Sequence, residues 1–173
     1  VAQICRARGI PLASHDDDTA EKVDQMYALG VTISEFPVTA AAAQHARSLG
    51  MHTVMGAPNA YRGESTSGNL SAEAAVRAGL VDMLATDYFP AALLQVAFKL
   101  AERGVLPLFE SAKLVSQYPA DALGLHDRGQ IAVGRRADLV LVDDDGEHPR
   151  VRATLRGGKF IYQDALLTRE VAR

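Results

Sequence analysis

Ile10-Pro-Leu-Ala-Ser-His15-Asp-Asp-Asp-Thr-Ala20-Glu-Lys-Val-Asp-Gln-Met-Tyr-Ala-Leu-Gly30 holds a short apolar run, an acidic cluster, a stretch with one apolar face, and a glycine stop. Ile10 to His15 suits a buried strand. Val23, Met26, Tyr27 and Leu29 fall on one face at helical spacing, with Asp18 or Thr19 available as the cap and Gly30 as the terminator. The unit recurs as strand Val31 to Glu35 with helix Thr39 to Leu49 and Gly50, then as strand Met51 to Gly56 with helix Ser71 to Ala78 and Gly79. Strand Leu80 to Ala85 with helix Pro90 to Arg103 and Gly104 is the fourth copy. Successive strand–helix units imply parallel strands with right-handed crossovers, which fits half of a (β/α)₈ barrel or a doubly wound sheet.

The polar residues favour the barrel. His15, Glu35, Asn59 and Asp87 each stand at or just past the C-terminal end of a predicted strand. In a barrel those ends converge on one mouth, whereas an open sheet would bring only two of the four to its switch-point crevice. The fold class expected is therefore α/β, the C-terminal half of a (β/α)₈ barrel of the metal-dependent hydrolase type, followed by a small β-rich segment. Val1 to Gly9 reads as the last turns of a helix capped by Gly9, which suggests a fragment. Beyond Leu106 a helix is predicted over Pro107 to Tyr118, then Gly129 to Asp143, then a hairpin over Val151 to Tyr162 turned by Gly157-Gly158. The division expected is barrel over 1–127 and the C-terminal part of a small β domain over 128–173, too small to bury a stable core alone.

Composition bounds the function. The 173 residues are 48% hydrophobic and 23% charged with a formal net charge of −3, an ordinary globular balance. No basic stripe speaks for nucleic acid, and no apolar run approaches the roughly 18 residues of a membrane span. The single cysteine, Cys5, permits no internal disulfide, so a cytoplasmic protein is the default. A half barrel with open strand edges favours association, and a homo-oligomer is expected.

His15 can bind a divalent metal through a neutral imidazole while a nearby carboxylate orients its other nitrogen; the alternative is an ordinary loop histidine. Glu35, ahead of Pro37, can bind metal, accept a proton or hold a hydroxyl, or it is a solvated loop glutamate. Asp87, in Thr86-Asp87-Tyr88 ahead of Pro90, is either a base toward an acidified water or the cap of the next helix. The loop from Ala57 to Asn69 carries Asn59, Arg62, Gly63, Ser65, Ser67 and Asn69 ahead of the helix at Ser71. Backbone N–H groups, a positive helix end and a planar cation are the parts that hold a phosphate, although the loop is not a P-loop.

Gly129-Gln-Ile-Ala-Val-Gly134-Arg-Arg-Ala-Asp138-Leu-Val resembles the small β-domain segment of the amidohydrolase superfamily. Leu12-Ala-Ser-His15-Asp-Asp-Asp18, Gly30-Val-Thr-Ile-Ser-Glu35-Phe-Pro37, Met55-Gly-Ala-Pro-Asn59, Arg62-Gly63, Ser67-Gly-Asn69 and Thr86-Asp87-Tyr88 resemble, in this order, its phosphonate-metabolism branch. That resemblance implies a diphosphatase of the carbon–phosphorus lyase pathway, in which water attacks a ribosyl triphosphate to give pyrophosphate and the 5-phosphate. It matches His15 to the metal-binding histidine of the family's fifth strand and Asp87 to the aspartate of its eighth. It implies a divalent metal, zinc foremost, as one or two ions, and a phosphorylated sugar as substrate. Glu35 stands where most of the superfamily has a histidine, so it either takes the ligand role or marks an altered second site. The family's His-x-His pair and its bridging residue would lie upstream of Val1. A cyclic-amide hydrolase or deaminase of the same superfamily, and an inactive folding or association module, are the competing expectations.

Overall fold

A computed structural model describes residues 1–63, 65, 68–146 and 148–165. Helix α1 (Ala2–Arg8) ends at Gly9, which adopts the left-handed φ of 63° expected of a C-terminal cap. Strands β1 (Ala13–His15), β2 (Ile33–Glu35), β3 (His52–Gly56) and β4 (Met83–Ala85) form a parallel sheet in sequence order. Helices α2 (Ala20–Ala28), α3 (Ala40–Ser48) and α5 (Ala72–Arg77) lie in the three crossovers, and α6 (Ala92–Glu102) follows β4, as the sequence predicted. Thr19, Thr39 and Ser71 each accept a hydrogen bond from a first-turn N–H, fixing the starts of α2, α3 and α5.

Two segments differ from expectation. Ala57 to Asn69 is not all loop, because Ala57–Arg62 forms helix α4, with Pro58 in its first turn and Gly63 at φ 87° as its cap. Proline in a helix's first turn forgoes an N–H that would have no intrahelical partner, so it starts α4 instead of breaking it. The single helix expected over Pro107 to Tyr118 is two, α7 (Leu108–Lys113) and α8 (Gln117–Ala122). Pro119 cannot supply the N–H that a continuous helix would require there, so the chain turns at Ser116 and restarts with the proline in the new first turn.

Period-two alternation along the strands sorts side chains onto two faces. Met55 and Leu84 join α4, α5 and α6 in a core around Val76, Val96 and Leu100, while Val23, Val31, Ala42, Ala46 and Met51 pack α2 and α3. Ile33, Val54 and Met83 lie on the opposite face, against Tyr118 and Ala122 of α8. Just beyond α7, the Leu114 carbonyl accepts the Leu84 N–H at 3.0 Å, which occupies part of the β4 edge.

The helix-facing side has a polar rung. Ser14, Ser34 and Thr53 are pairwise register partners across β1, β2 and β3, and all three are buried. Asp82 accepts from the Thr53 backbone N–H at 2.9 Å and its hydroxyl at 3.2 Å and is ion-paired with Arg47. Buried hydroxyls need such partners to offset lost hydration.

Strands β5 (Leu139–Asp143), β6 (Arg150–Arg156) and β7 (Lys159–Gln163) form a separate antiparallel sheet. Gly157 and Gly158 sit at φ 57° and 77°, the two positive values a type I′ hairpin turn requires. Arg152 bridges Asp164 at 2.6 Å and Asp143 at 2.5 Å, and these two hydrogen-bonded carboxylates hold its guanidinium above its usual pKa. Among the described residues no helix is long and apolar enough to cross a membrane.

Leu100 is fully buried and Val133 fully exposed. Leu100→Ala is expected to cost about 2–5 kcal/mol in urea unfolding. Val133→Ala should change stability by no more than about 0.5 kcal/mol.

Candidate active site

Register places His15 beside Glu35, Glu35 beside Val54, and Val54 beside Met83 on one rung at the C-terminal end of the sheet. Val54 and Met83 share the face away from the crossover helices, so His15 and Glu35 project from that face too. His15 Nδ1 lies 3.1 Å from Asp16 Oδ2, which leaves Nε2 as the nitrogen for ligation. The edge of Phe36 meets the His15 ring at a centroid distance of 5.3 Å and an interplanar angle of 73°.

Just past three of the four strand ends the backbone turns left-handed at a residue other than glycine: Asp16 at φ 55°, Phe36 at φ 55° and Asp87 at φ 50°. Aspartate tolerates this region, but a phenylalanine in it is strained. The ladder continues through the first two of these turns and holds them, with Asp16 N–H donating to the Glu35 carbonyl at 3.0 Å and Phe36 N–H to that of Val54 at 2.9 Å. Such clustering of strain is a property of functional sites.

A cavity of about 170 Å³ opens here, with Asp16, Phe36 and Gly56 on one side, Arg62, Ser65 and Asn69 on another, and Asp87 and Tyr88 completing the wall. Gly56 leaves room for Asp87, since a Cβ there would stand 3.3 Å from Asp87 Oδ2, close enough that the carboxylate would have to shift. Arg62 donates to the Tyr88 hydroxyl, and its guanidinium carbon lies 6.0 Å from the Tyr88 ring centroid. The Arg62 fork is thereby held at the rim by a tyrosine that sequence reading had left without a role.

The other predicted residues divide as follows. Helix α6 starts at Ala92 with Ala91 as its cap and no side-chain cap, so Asp87 does not cap it. Asn59 lines the cavity, but its Oδ1 accepts from Ala72 N–H at 3.0 Å and its Nδ2 donates to the Leu70 carbonyl at 3.4 Å, which ties α4 to the start of α5. Gly63 is the cap of α4, with Arg103 packed against it. Ser67 lies outside the described residues. His15 and Glu35 are not among the lining residues; Asp16 and Phe36, which follow them in the chain, are. Asp87 follows β4, and its Oδ2 reaches toward Gly56 of β3, the strand between β4 and β2. No three His, Cys, Asp or Glu side chains converge into a metal-binding group among the described residues. The pair His15 and Glu35 is the right donor chemistry for zinc, but it is a partial set.

In the sequence Asp17 is one of three consecutive aspartates. It is fully buried, and its Oδ2 accepts from Ser14 Oγ at 2.5 Å and from Ser34 Oγ at 2.6 Å. The signal was the repeated serine immediately before His15 and before Glu35, two hydroxyls at equal positions in two repeats.

Residues 3–162 match the amidohydrolase family model. The chain belongs to the amidohydrolase family. Amidohydrolases are in general metal-dependent. The chain is 46% identical over 166 residues to the α-D-ribose 1-methylphosphonate 5-triphosphate diphosphatase of Escherichia coli (strain K12), covering 94% of this chain and 43% of that protein. It thus spans less than half the length of that relative. Its fold matches that of a prolidase crystallised with N-methylphosphonate-L-proline, at TM-score 0.69 and 19% identity over 94% of this chain and 48% of that one. The N-acetylglucosamine-6-phosphate deacetylase of Pasteurella multocida gives TM-score 0.65 and 16% identity over 92% of this chain and 53% of the other. With these amidohydrolase barrels as neighbours, the four-stranded parallel sheet is the C-terminal half of a (β/α)₈ barrel, and the antiparallel sheet is a separate small unit.

Gly56→Ala in the full-length protein is expected to push Asp87 by a few tenths of an ångström. Its turnover number should fall on the order of tenfold, with thermal stability nearly unchanged.

Proposed function

We propose that this chain forms the catalytic mouth of a metal-dependent hydrolase that cleaves a phosphoric anhydride. Its substrate on this reading is α-D-ribose 1-methylphosphonate 5-triphosphate, and its products are pyrophosphate and the 5-phosphate. The observation that carries the proposal is the make-up of the cavity. A guanidinium, a hydroxyl and an amide, from Arg62, Ser65 and Asn69, line the same small space as the carboxylate of Asp87. Identity of 46% to a protein named for that reaction supports the substrate.

The parts divide the work. Arg62, held by Tyr88, offers two N–H groups to phosphate oxygens and neutralises charge that grows as the anhydride bond breaks. Asp87 accepts the proton of the attacking water. His15 and Glu35 would hold a divalent cation together with donors from the rest of the barrel, and the chemistry such a cation supplies is to make water a stronger acid. Asp16 orients His15 for that role by engaging Nδ1. Strands β5 to β7 would belong to the C-terminal part of the small β domain.

The test is release of pyrophosphate from the ribosyl triphosphate by the full-length protein with zinc. Asp87→Asn is expected to lower kcat by about 10²–10⁴-fold with little change in KM. Arg62→Ala should act chiefly on KM for the triphosphate. Full activity in Asp87→Asn would remove the base from the scheme. Turnover of hydantoins, dihydropyrimidines or adenine instead of the triphosphate would assign the protein to a cyclic-amide or deaminase branch.

A further inference from the structure

Asp17 has features that a merely space-filling residue would lack. Its side chain is fully buried between β1 and β2, on the helix-facing side and behind the rung that carries His15 and Glu35. One oxygen takes both serine hydroxyls. Among the described residues the other, Oδ1, receives no hydrogen bond and faces the Lys22 ammonium at 3.9 Å. The same ammonium donates to the carbonyls of His15 at 3.1 Å and Asp16 at 2.6 Å. The Asp17 carbonyl accepts the Val38 N–H at 2.8 Å, and the Asp18 carbonyl accepts the Thr39 hydroxyl at 3.0 Å, so the loop after β1 is fastened to the loop after β2.

A buried carboxylate is a poor way to stabilise a sheet, since apolar residues of similar volume often serve as well or better. What it offers is a defined geometry. The left-handed turn at Asp16 folds the chain back so that Asp17 reaches beneath the strand it has just left. There it grips the residues immediately preceding His15 and Glu35. Any relative slip or splay of β1 and β2 at this end would break one of the two short hydrogen bonds.

We propose that Asp17 is a positioning residue that sets the spacing and direction of His15 and Glu35. This rests on the reading of that pair as metal donors. Carboxylates and hydroxyls behind metal ligands govern affinity by fixing where the ligands point. Asp17→Asn keeps the volume but directs an amide NH₂ either at the serine hydroxyls or toward the Lys22 ammonium.

The experiment measures zinc affinity of the metal-free full-length protein by competition with a chromophoric chelator, alongside its thermal unfolding. Asp17→Asn is expected to weaken zinc binding by about 10–100-fold. Leu100→Ala, a destabilising change remote from the pair, should lower the unfolding temperature and leave zinc affinity within about twofold. Should Asp17→Asn fail to fold, Ser34→Ala removes one of the two hydrogen bonds and should weaken zinc binding at least about threefold. Zinc affinity unchanged in the foldable variant, with His15→Ala losing the metal, overturns the positioning role and leaves the donor reading intact. Tight zinc retained by His15→Ala overturns the donor reading and the positioning role with it.

Discussion

Parallel pairing in register across β1 to β4 is the constraint on which the rest of the molecule depends. Side chains alternate with a period of two, so a slip of one residue in any strand would exchange its two faces. In the observed register His15, Glu35, Val54 and Met83 share one rung, and Ser14, Ser34 and Thr53 share the one before it. Chemistry-bearing groups thus face the barrel axis while the hydroxyls face the helices. The apolar core enforces the same register, because Met55 and Leu84 must reach α6 while Val54 and Met83 must not.

The mouth is built differently from the layers beneath it. Below, small residues such as Ala42, Ala43 and Ala46 let helices approach the sheet closely, and the packing is apolar apart from the hydroxyl rung. At the C-terminal ends the chain accepts three left-handed turns at residues other than glycine and a buried carboxylate. Each is unfavourable in isolation. Ladder hydrogen bonds that continue past the strands hold the turns at Asp16 and Phe36, and Lys22 and the paired serines hold the Asp17 carboxylate. Conformational cost concentrated at one end of a sheet, with an orderly core at the other, is how a parallel barrel separates chemistry from stability.

Much of this was legible in the sequence because repetition reinforced each local signal. The apolar run and the terminal glycine recur in step, so α2, α3, α5 and α6 were found; hydroxyl caps start the first three, and α6 starts without a side-chain cap. His15, Glu35 and Asp87 stood out through their common place in that repeat. Helix α4 was missed because proline, asparagine and glycine within Ala57 to Gly63 carry turn signals, and the favourable position of Pro58 depends on where the helix starts. The break between α7 and α8 was missed for the related reason that Pro119 sits just beyond an otherwise helical stretch. Asp17 was hidden among three consecutive aspartates. Which of them points inward depends on the left-handed turn at Asp16, and composition does not encode that turn. Tyr88 became meaningful only when α4 brought Arg62 to it.

On the proposed reading His15 and Glu35 act as metal donors beside the cavity that Arg62, Asn69 and Asp87 line. The most direct measurement is anomalous diffraction at the zinc edge from crystals of the full-length protein. The account predicts a zinc peak within about 2.0–2.2 Å of His15 Nε2, with a Glu35 carboxylate oxygen at similar distance. A fully occupied zinc site elsewhere, with both side chains free of metal, would contradict it.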